Sequence, residues 1–415
     1  MLPHRERIFG KGGEVSAFLV LLLALLPIVL PAQSAAGQTF TEVYPFNSAP
    51  NLTDGAWPEA AVTIDSSGNL YGTTFYGGTG TGCDIYFGAG CGTVFKIDPS
   101  GAETVLHSFA GQPDGSNPTG SLTLVAAGNL YGATPYGGVF GQGTVFKLDA
   151  SGKEDILHSF AGGADGARPN AGLVLDASGN LYGTTQYGGD GCNAGGEGCG
   201  TVFRISAAGE NTVLYRFLDG LDGSSPLGGV ALDSSGNLYG TTWLGGTYNF
   251  GTVFEISNAG YQTVLYSFAG GSDGANPIAG LIIAPSGNLY GTTPAGGAYG
   301  NGTVFEVDVA GNEDVVYNFT GGPDGAAPYD SLISDDAGNL YGTTAAGGVA
   351  GAGTVFELSG GSLAVLYAFP LGAGGTYPGG AIPMGSLVSD AAGNLYGTAL
   401  QSGTYGWGDV FEIQP

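Results

Sequence analysis

The chain has 415 residues, 82 of them glycine and 21 proline, a content that reads as low complexity unless a period organises it. Aromatic residues at 11% with charged residues at only 11% argue against a disordered chain, and no Gly-X-Y triplet runs through it, which excludes collagen. Nine basic residues against 35 acidic ones give a net charge of −26, and no Lys or Arg follows Arg216; such a surface repels phosphate backbones, so nucleic acid is excluded as a partner and anionic membranes are disfavoured.

Residues 1–36 differ from all that follows. Arg5, Arg7 and Lys11 precede an apolar run over residues 17–30, and Ser34 and Ala36 then supply the small-residue spacing that a signal peptidase reads. This predicts a secretory signal peptide over 1–36 and a single domain over 37–415. A membrane anchor is the alternative, but the run is shorter than the roughly 20 apolar residues of a span. The expected mature chain is therefore secreted or held at the cell surface, with no membrane attachment after signal removal, and monomeric.

From there one segment, Gly-Asn-Leu-Tyr-Gly, recurs seven times, with its tyrosines at Tyr71, Tyr131, Tyr182, Tyr239, Tyr290, Tyr341 and Tyr396. Most intervals are close to 51 residues, a period that signals a propeller or a solenoid. Each unit holds four short β-rich runs separated by Gly, Asn, Asp and Ser clusters, and no stretch keeps a helical period. The prediction is an all-β, seven-bladed β-propeller with four-stranded blades. A parallel β-helix is the rival, with rungs usually shorter than 51 residues. The chain opens on an outer-type strand, residues 40–46, and ends after a third-strand type, 409–413. Pairing these two would complete the seventh blade and close the ring, removing an exposed edge.

Two intervals are longer, 60 and 57 residues, and each extra loop brings two cysteines. Local disulfides Cys83–Cys91 and Cys192–Cys199 are expected, since the other pairings must join non-adjacent blades and export favours oxidation.

The repeated unit SGNLYGTT…GGxxGxGTVF…TVLYSFxGGxDG resembles the bacterial GloVer (Gloeobacter/Verrucomicrobia) repeat from about residue 40 to the end. More distantly, G-L-x-x-D-x-S-G-N-L-Y is similar to the NHL and gluconolactonase types of propeller. The first resemblance implies an exported bacterial repeat protein and no particular reaction. The seventh unit departs most, with Thr398-Ala399 for Thr-Thr and Asp409 for the Thr of Thr-Val-Phe.

Candidate chemistry is sparse. His107 and His158 occupy a position that is Tyr in other units and read as strand packing residues, so no catalytic residue is assigned. Asp54, Asp114, Asp165, Asp222, Asp273 and Asp324 recur in Asp-Gly-x-x-Pro. They read as turn caps, with a ring of Ca²⁺-binding carboxylates as the alternative; no cofactor is otherwise expected. Asp65, Asp176, Asp233, Asp335 and Asp390 before Ser-Gly-Asn or Ala-Gly-Asn carry the same two readings. Lys96, Lys147 and Arg204 give way to Glu255, Glu306, Glu357 and Glu412 in one column, expected to be a solvated strand edge. Alternate connections of an up-and-down blade share a face, so the loops after Tyr-Gly-Thr-Thr join the Asp-Gly-x-x-Pro loops there. Trp57, Tyr76, Tyr136, Tyr187 and Trp243 fall on that face and are the candidate ligand platforms. The competing reading is that each covers its own Gly-rich loop. The function expected is a non-enzymatic binding or scaffold propeller for extracellular carbohydrate, cell-surface polymer or protein. The alternatives are a lactonase- or lyase-like enzyme with a metal in the central channel, and a surface-layer component.

Overall fold

A computed structural model describes residues 38–46, 53–83, 90–189, 197–370, 381–401 and 403–414. The expected signal peptide and Cys192 lie outside them. Four runs per repeat become four antiparallel strands: in the first blade Thr63–Ile64, Leu70–Thr74, Thr93–Ile97 and Glu103–Ser108, hydrogen-bonded in that order from axis to rim. Blades I–VII start on Thr63–Ile64, Thr123–Leu124, Val174–Leu175, Ala231–Leu232, Ile282–Ile283, Ile333–Ser334 and Val388–Ser389. The helical content among the described residues is two short 3₁₀ turns, Gly163–Asp165 and Gly271–Asp273.

Thr39–Pro45 pairs antiparallel with Asp409–Gln414, from Thr39 opposite Gln414 to Pro45 opposite Asp409. The first described strand is thus the outer strand of the last blade, and the ring closes as its pattern predicts. Blade VII also gains a short strand, Ala381–Pro383, against Leu395–Gln401.

The core lies between blades. At every seam the Phe after the outer strand meets the Phe of the next blade's Thr-Val-Phe or Asp-Val-Phe. The pairs are Phe46–Phe95, Phe109–Phe146, Phe160–Phe203, Phe217–Phe254, Phe268–Phe305, Phe319–Phe356 and Phe369–Phe411, with centroids 5.1–5.4 Å apart in edge-on geometry. All fourteen rings are fully buried. Each such pair contributes about 0.5–1.5 kcal/mol beyond its buried area. The Gly of Leu-Tyr-Gly makes room for the ring: a Cβ at Gly240 would stand 2.6 Å from Phe254 Cζ.

A second seam device explains Asp-Gly-x-x-Pro. The residue before each proline has a left-handed backbone, with φ of 53–58° at Trp57, Asn117, Arg168, Ser225, Asn276, Ala327 and Ile382. Such angles are uncommon outside glycine, and most costly for a β-branched residue such as Ile382. The conformation aims the N–H of that residue back at the preceding blade, where it donates to a carbonyl at 2.7–3.3 Å in all seven seams. The proline then packs on the Gly of Gly-Thr-Val-Phe; a Cβ at Gly92 would come 2.7 Å from Pro118 Cδ. Blade VII keeps this geometry at Ile382-Pro383 although its sequence lacks the Asp-Gly start.

Cys83 and Cys91 form the expected disulfide. Cys199 is disulfide-bonded as well.

Candidate functional site

The two faces of the ring follow from strand direction. Turns between first and second strands, and between third and outer strands, lie on one face, the turn face. The loops after Tyr-Gly-Thr-Thr and the Asp-Gly-x-x-Pro connections lie on the other, the loop face, and pair with each other through bridges such as Ala56–Tyr76, Ala167–Tyr187, Ser224–Leu244 and Ala275–Ala295. The face assigned from sequence is therefore one continuous, backbone-stitched surface.

The repeated aspartates of the turn face are turn caps. Asp65 Oδ1 accepts the N–H of Ser67 and Asn69 at 2.8 and 2.9 Å, while its Oδ2 accepts Asn69 Nδ2 and the Tyr71 hydroxyl. Asp176 and Asp233 repeat all four bonds. Burial opposes the charge of Asp65, but these donors outweigh it and lower its pKa.

The loop-face aspartates are caps of a different kind. Each accepts a side chain seven or ten residues upstream on the outer strand: Tyr44 to Asp54, Tyr215 to Asp222, Tyr266 to Asp273 and Tyr317 to Asp324, at 2.9–3.0 Å. His107 and His158 take the tyrosine's place, with Nε2 3.3 Å from Asp114 Oδ2 and 3.0 Å from Asp165 Oδ2. The two histidines are thus half-buried polar partners, more than the packing residues that their column suggests. The outer strand of the next blade adds a third group: Glu103 beside Asp54, Glu154 beside His107, Asn211 beside His158, Glu313 beside Asp273. Burial pushes Glu154 up to about 8. Burial and Asp54 together push Glu103 up to about 7. Burial works against charge on His107, but Asp114 and Glu154 prevail and raise its pKa.

The candidate platforms occupy several settings. Trp57 and Tyr76 pack edge-on at 5.1 Å, and Phe75 packs edge-on to Tyr76 at 4.7 Å. The Arg168 guanidinium lies over both Tyr136 and Tyr187, 5.4 and 4.9 Å from the ring centroids. These four residues are half-buried, while Trp243 is exposed. More accessible rings lie slightly farther along the same loops, after or near the Gly-Gly: Phe140, Tyr248, Phe250, Tyr299 and Tyr405. With Trp243 they are 38–62% exposed. Leu218 and Leu221, also exposed, sit in the connection beside Trp243. The sequence signal for four of them was the column two places past Gly-Gly, or past Ser-Gly in the seventh unit, where Phe140, Tyr248, Tyr299 and Tyr405 align.

At the axis the loop face opens into a cavity of about 420 Å³ lined by all seven blades. The residue after each proline rims it, and these residues fall into two arcs. Glu59, Thr119 and Asn170 are polar and consecutive; Leu227, Ile278, Tyr329 and Met384 complete the ring. Asn170 is held by Gln186, and the Thr119 hydroxyl donates to the Asn170 carbonyl. Burial pushes Glu59 up to about 7. Deeper, Asp330 accepts the N–H of Ser331 and Ser386, and burial nevertheless raises its pKa. A channel metal centre of the lactonase kind asks for several converging ligands. Among the described residues, the set of three His, Cys, Asp or Glu ligand atoms within 4.8 Å of one another is not there but at the rim: His107, Asp114 and Glu154.

A family model described as the Gloeobacter/Verrucomicrobia repeat matches residues 30–196, 88–284 and 271–415. A search of curated proteins gave no match. Among solved structures, the extracellular domain of a provisionally assigned hybrid two-component system of B. thetaiotaomicron is similar at TM-score 0.57 and 10% identity, over 90% of this chain and 39% of that one. Puromycin hydrolase is similar at TM-score 0.53 and 14% identity, over 86% and 52%. A provisionally assigned 6-phosphogluconolactonase from Bacteroides uniformis is similar at TM-score 0.50 and 15% identity, over 84% and 95%. The chain thus spans about two fifths and one half of the first two. At these identities the likeness is one of propeller fold.

Proposed function

The chain belongs to the Gloeobacter/Verrucomicrobia repeat family, and from that premise we propose that it is an exported binding propeller whose loop face recognises extracellular carbohydrate or cell-surface polymer. One observation carries the reading. Of the exposed aromatic rings among the described residues, Phe140, Trp243, Tyr248, Phe250, Tyr299, Tyr329 and Tyr405 are on the loop face, against Tyr261 on the turn face. A face of Gly, Asp and Thr loops bearing exposed rings suits sugars, whose apolar faces stack on aromatics and whose hydroxyls pair with Asp and Asn. Backbone bridges at the base of most of these loops hold the loop backbone in place before any ligand arrives, which lowers the ordering cost of binding. Trp57, Tyr76, Tyr136 and Tyr187 form the inner, half-buried part of this surface and Trp243 its exposed edge. Export by cleavage near residue 36 belongs to the same proposal.

The test is a glycan and polysaccharide array probed with the chain from residue 37, with and without Ca²⁺. Saturable binding to a carbohydrate class is expected. An array blank in both conditions, with the protein folded, would remove the carbohydrate reading.

A further inference from the structure

We propose that the seam between blades I and II holds a divalent transition-metal ion, Zn²⁺ by preference, on His107 Nε2, Asp114 Oδ2 and Glu154 Oε2. The three side chains come from three segments: the outer strand of blade I, the connection into blade II and the first residue of blade II's outer strand.

The spacing is the first argument. His107 Nε2 stands 3.3 Å from Asp114 Oδ2 and 3.5 Å from Glu154 Oε2, and all three ligand atoms lie within 4.8 Å of one another. Ligand atoms about 2.0–2.2 Å from a tetrahedral Zn²⁺ are about 3.3–3.6 Å apart. A charge-assisted N–H···O bond would instead draw in to about 2.7–2.9 Å. One imidazole nitrogen facing two carboxylates at these distances matches two edges of a tetrahedron. Asp114 is also oriented as a ligand should be, its oxygens fixed by the N–H groups of Ala110 and Gly115 at 2.8 and 2.6 Å. The donor set favours a borderline ion over Ca²⁺, which takes six or more oxygens and no imidazole.

The repeat supplies the second argument, as built-in controls. The next seam has the same His and Asp, but Asn211 stands where Glu154 would be. There the amide donates to Asp165 at 2.9 Å and approaches His158 Nε2 at 3.2 Å, so the second carboxylate is missing, while Asn211 Oδ1 has no hydrogen-bond partner among the described residues. Seams with Glu103 and Glu313 keep the third carboxylate but have Tyr44 and Tyr266 in place of histidine, and the tyrosine hydroxyl is spent on the aspartate. Nitrogen, first carboxylate and second carboxylate coincide at the I–II seam. There Glu154 Oε1 has no hydrogen-bond partner among the described residues, as also holds for Glu103 and Glu313. An ion at this point ties two blades and their connection together. It lies apart from the axial cavity, at the base of the loop that carries Phe140, whose Gly138 N–H donates to the Asp114 carbonyl.

The experiment is titration calorimetry of the chelator-treated chain with ZnCl₂, alongside melting curves and Co²⁺ absorption spectra. One equivalent of Zn²⁺ should bind, raise the melting temperature and, as Co²⁺, give the intense visible bands of a tetrahedral site. His107→Tyr restores the side chain of other blades and should fold normally, yet lose at least about tenfold in affinity, as should Glu154→Gln. Asn211→Glu should raise the stoichiometry to two. No saturable uptake by the wild type, undiminished affinity in both His107→Tyr and Glu154→Gln, or a folded Asn211→Glu that still binds one ion would each overturn the assignment.

Discussion

The turn face and the loop face are made from the same seven repeats, yet they use them in opposite ways. On the turn face one side chain closes the turn in five of the seven blades, with Val125 and Ala284 in its place over the same backbone turn in blades II and V. Asp65, Asp176 and Asp233 make the same four bonds, and Asp335 and Asp390 make closely similar ones. On the loop face the aspartates repeat in six of the seven connections, but the residues on either side of the proline do not, although their backbone does. The left-handed residue before proline is Trp, Asn, Arg, Ser, Asn, Ala and Ile in turn, within 5° in φ. The residue after the proline runs from Glu59 to Met384. Repetition of side chains marks positions spent on closing turns; variation over a fixed backbone marks positions whose side chain the repeat does not dictate. That contrast supports placing recognition on the loop face.

Breaking the frame beneath both faces should give the largest effect. Deleting residues 37–47 removes the outer strand of blade VII and Phe46, and strips Phe40 from its stack on Tyr367. Truncating one buried Phe costs about 3–5 kcal/mol, and an opened ring adds a bare sheet edge. Cooperative melting should be lost or displaced far downward in calorimetry, and a truncated chain that melts like the full one would refute closure. A smaller loss is expected from Gly240→Ala, whose new methyl meets Phe254; overpacking costs about 1–3 kcal/mol. Gly209→Ala on the turn face has nothing within 4 Å and a φ of 86°, so it should cost only the left-handed backbone strain of about 1–2 kcal/mol. Chemical denaturation of the two variants compares them directly.

Charge gives a third handle. Asp409 stands where the other blades have Thr; it is fully buried, neither carboxylate oxygen has a hydrogen-bond partner among the described residues, and burial holds its pKa well above the usual range. Glu59 is shifted in the same direction, from 4.5 to about 7. A carboxyl whose folded pKa is raised binds its proton more tightly when folded. Its contribution is complete below the unfolded pKa and is lost as pH rises through the folded value. The turn-face aspartates, shifted down, lose theirs as pH falls through their folded values. Stability should therefore peak near pH 4–5 and decline toward pH 7 and above. Glu59→Gln should flatten the decline between about pH 4.5 and 7. Asp409→Thr, which restores the repeat, should raise the melting temperature at pH 8, with a gain of about 1–3 kcal/mol. A melting temperature that climbs from pH 5 to pH 8 in the wild type would contradict this.

Much of the architecture was legible because it is local or periodic. Strand count, blade count, ring closure, the Cys83–Cys91 bridge and the shared loop face all follow from spacing and turn chemistry. What sequence could not supply were contacts between repeats. Arg168 reaches Tyr136 and Tyr187 from a different loop, 32 and 19 residues away, and no single-repeat pattern announces it. The rings at Phe140, Tyr248, Tyr299 and Tyr405 were aligned in plain view. Their exposure depends on how the left-handed glycine two places before each turns the chain outward, which spacing alone does not encode. The Glu154 of the I–II seam is similarly invisible within one repeat, because its partners belong to the blade before.

The most direct test of the two-face account compares matched exposed aromatics across the ring. The affinity of a carbohydrate identified on the array would be measured by calorimetry for the wild type, for Trp243→Ala combined with Tyr248→Ala, and for Tyr261→Ala, which removes the exposed ring of the turn face. All three should melt alike, since surface substitutions of this kind usually stay within about 0.5 kcal/mol. The loop-face pair should lose about tenfold or more in affinity, as stacking platforms do, while Tyr261→Ala binds as the wild type does. Equal weakening by Tyr261→Ala, or full affinity in the loop-face pair, would contradict the assignment of recognition to that face.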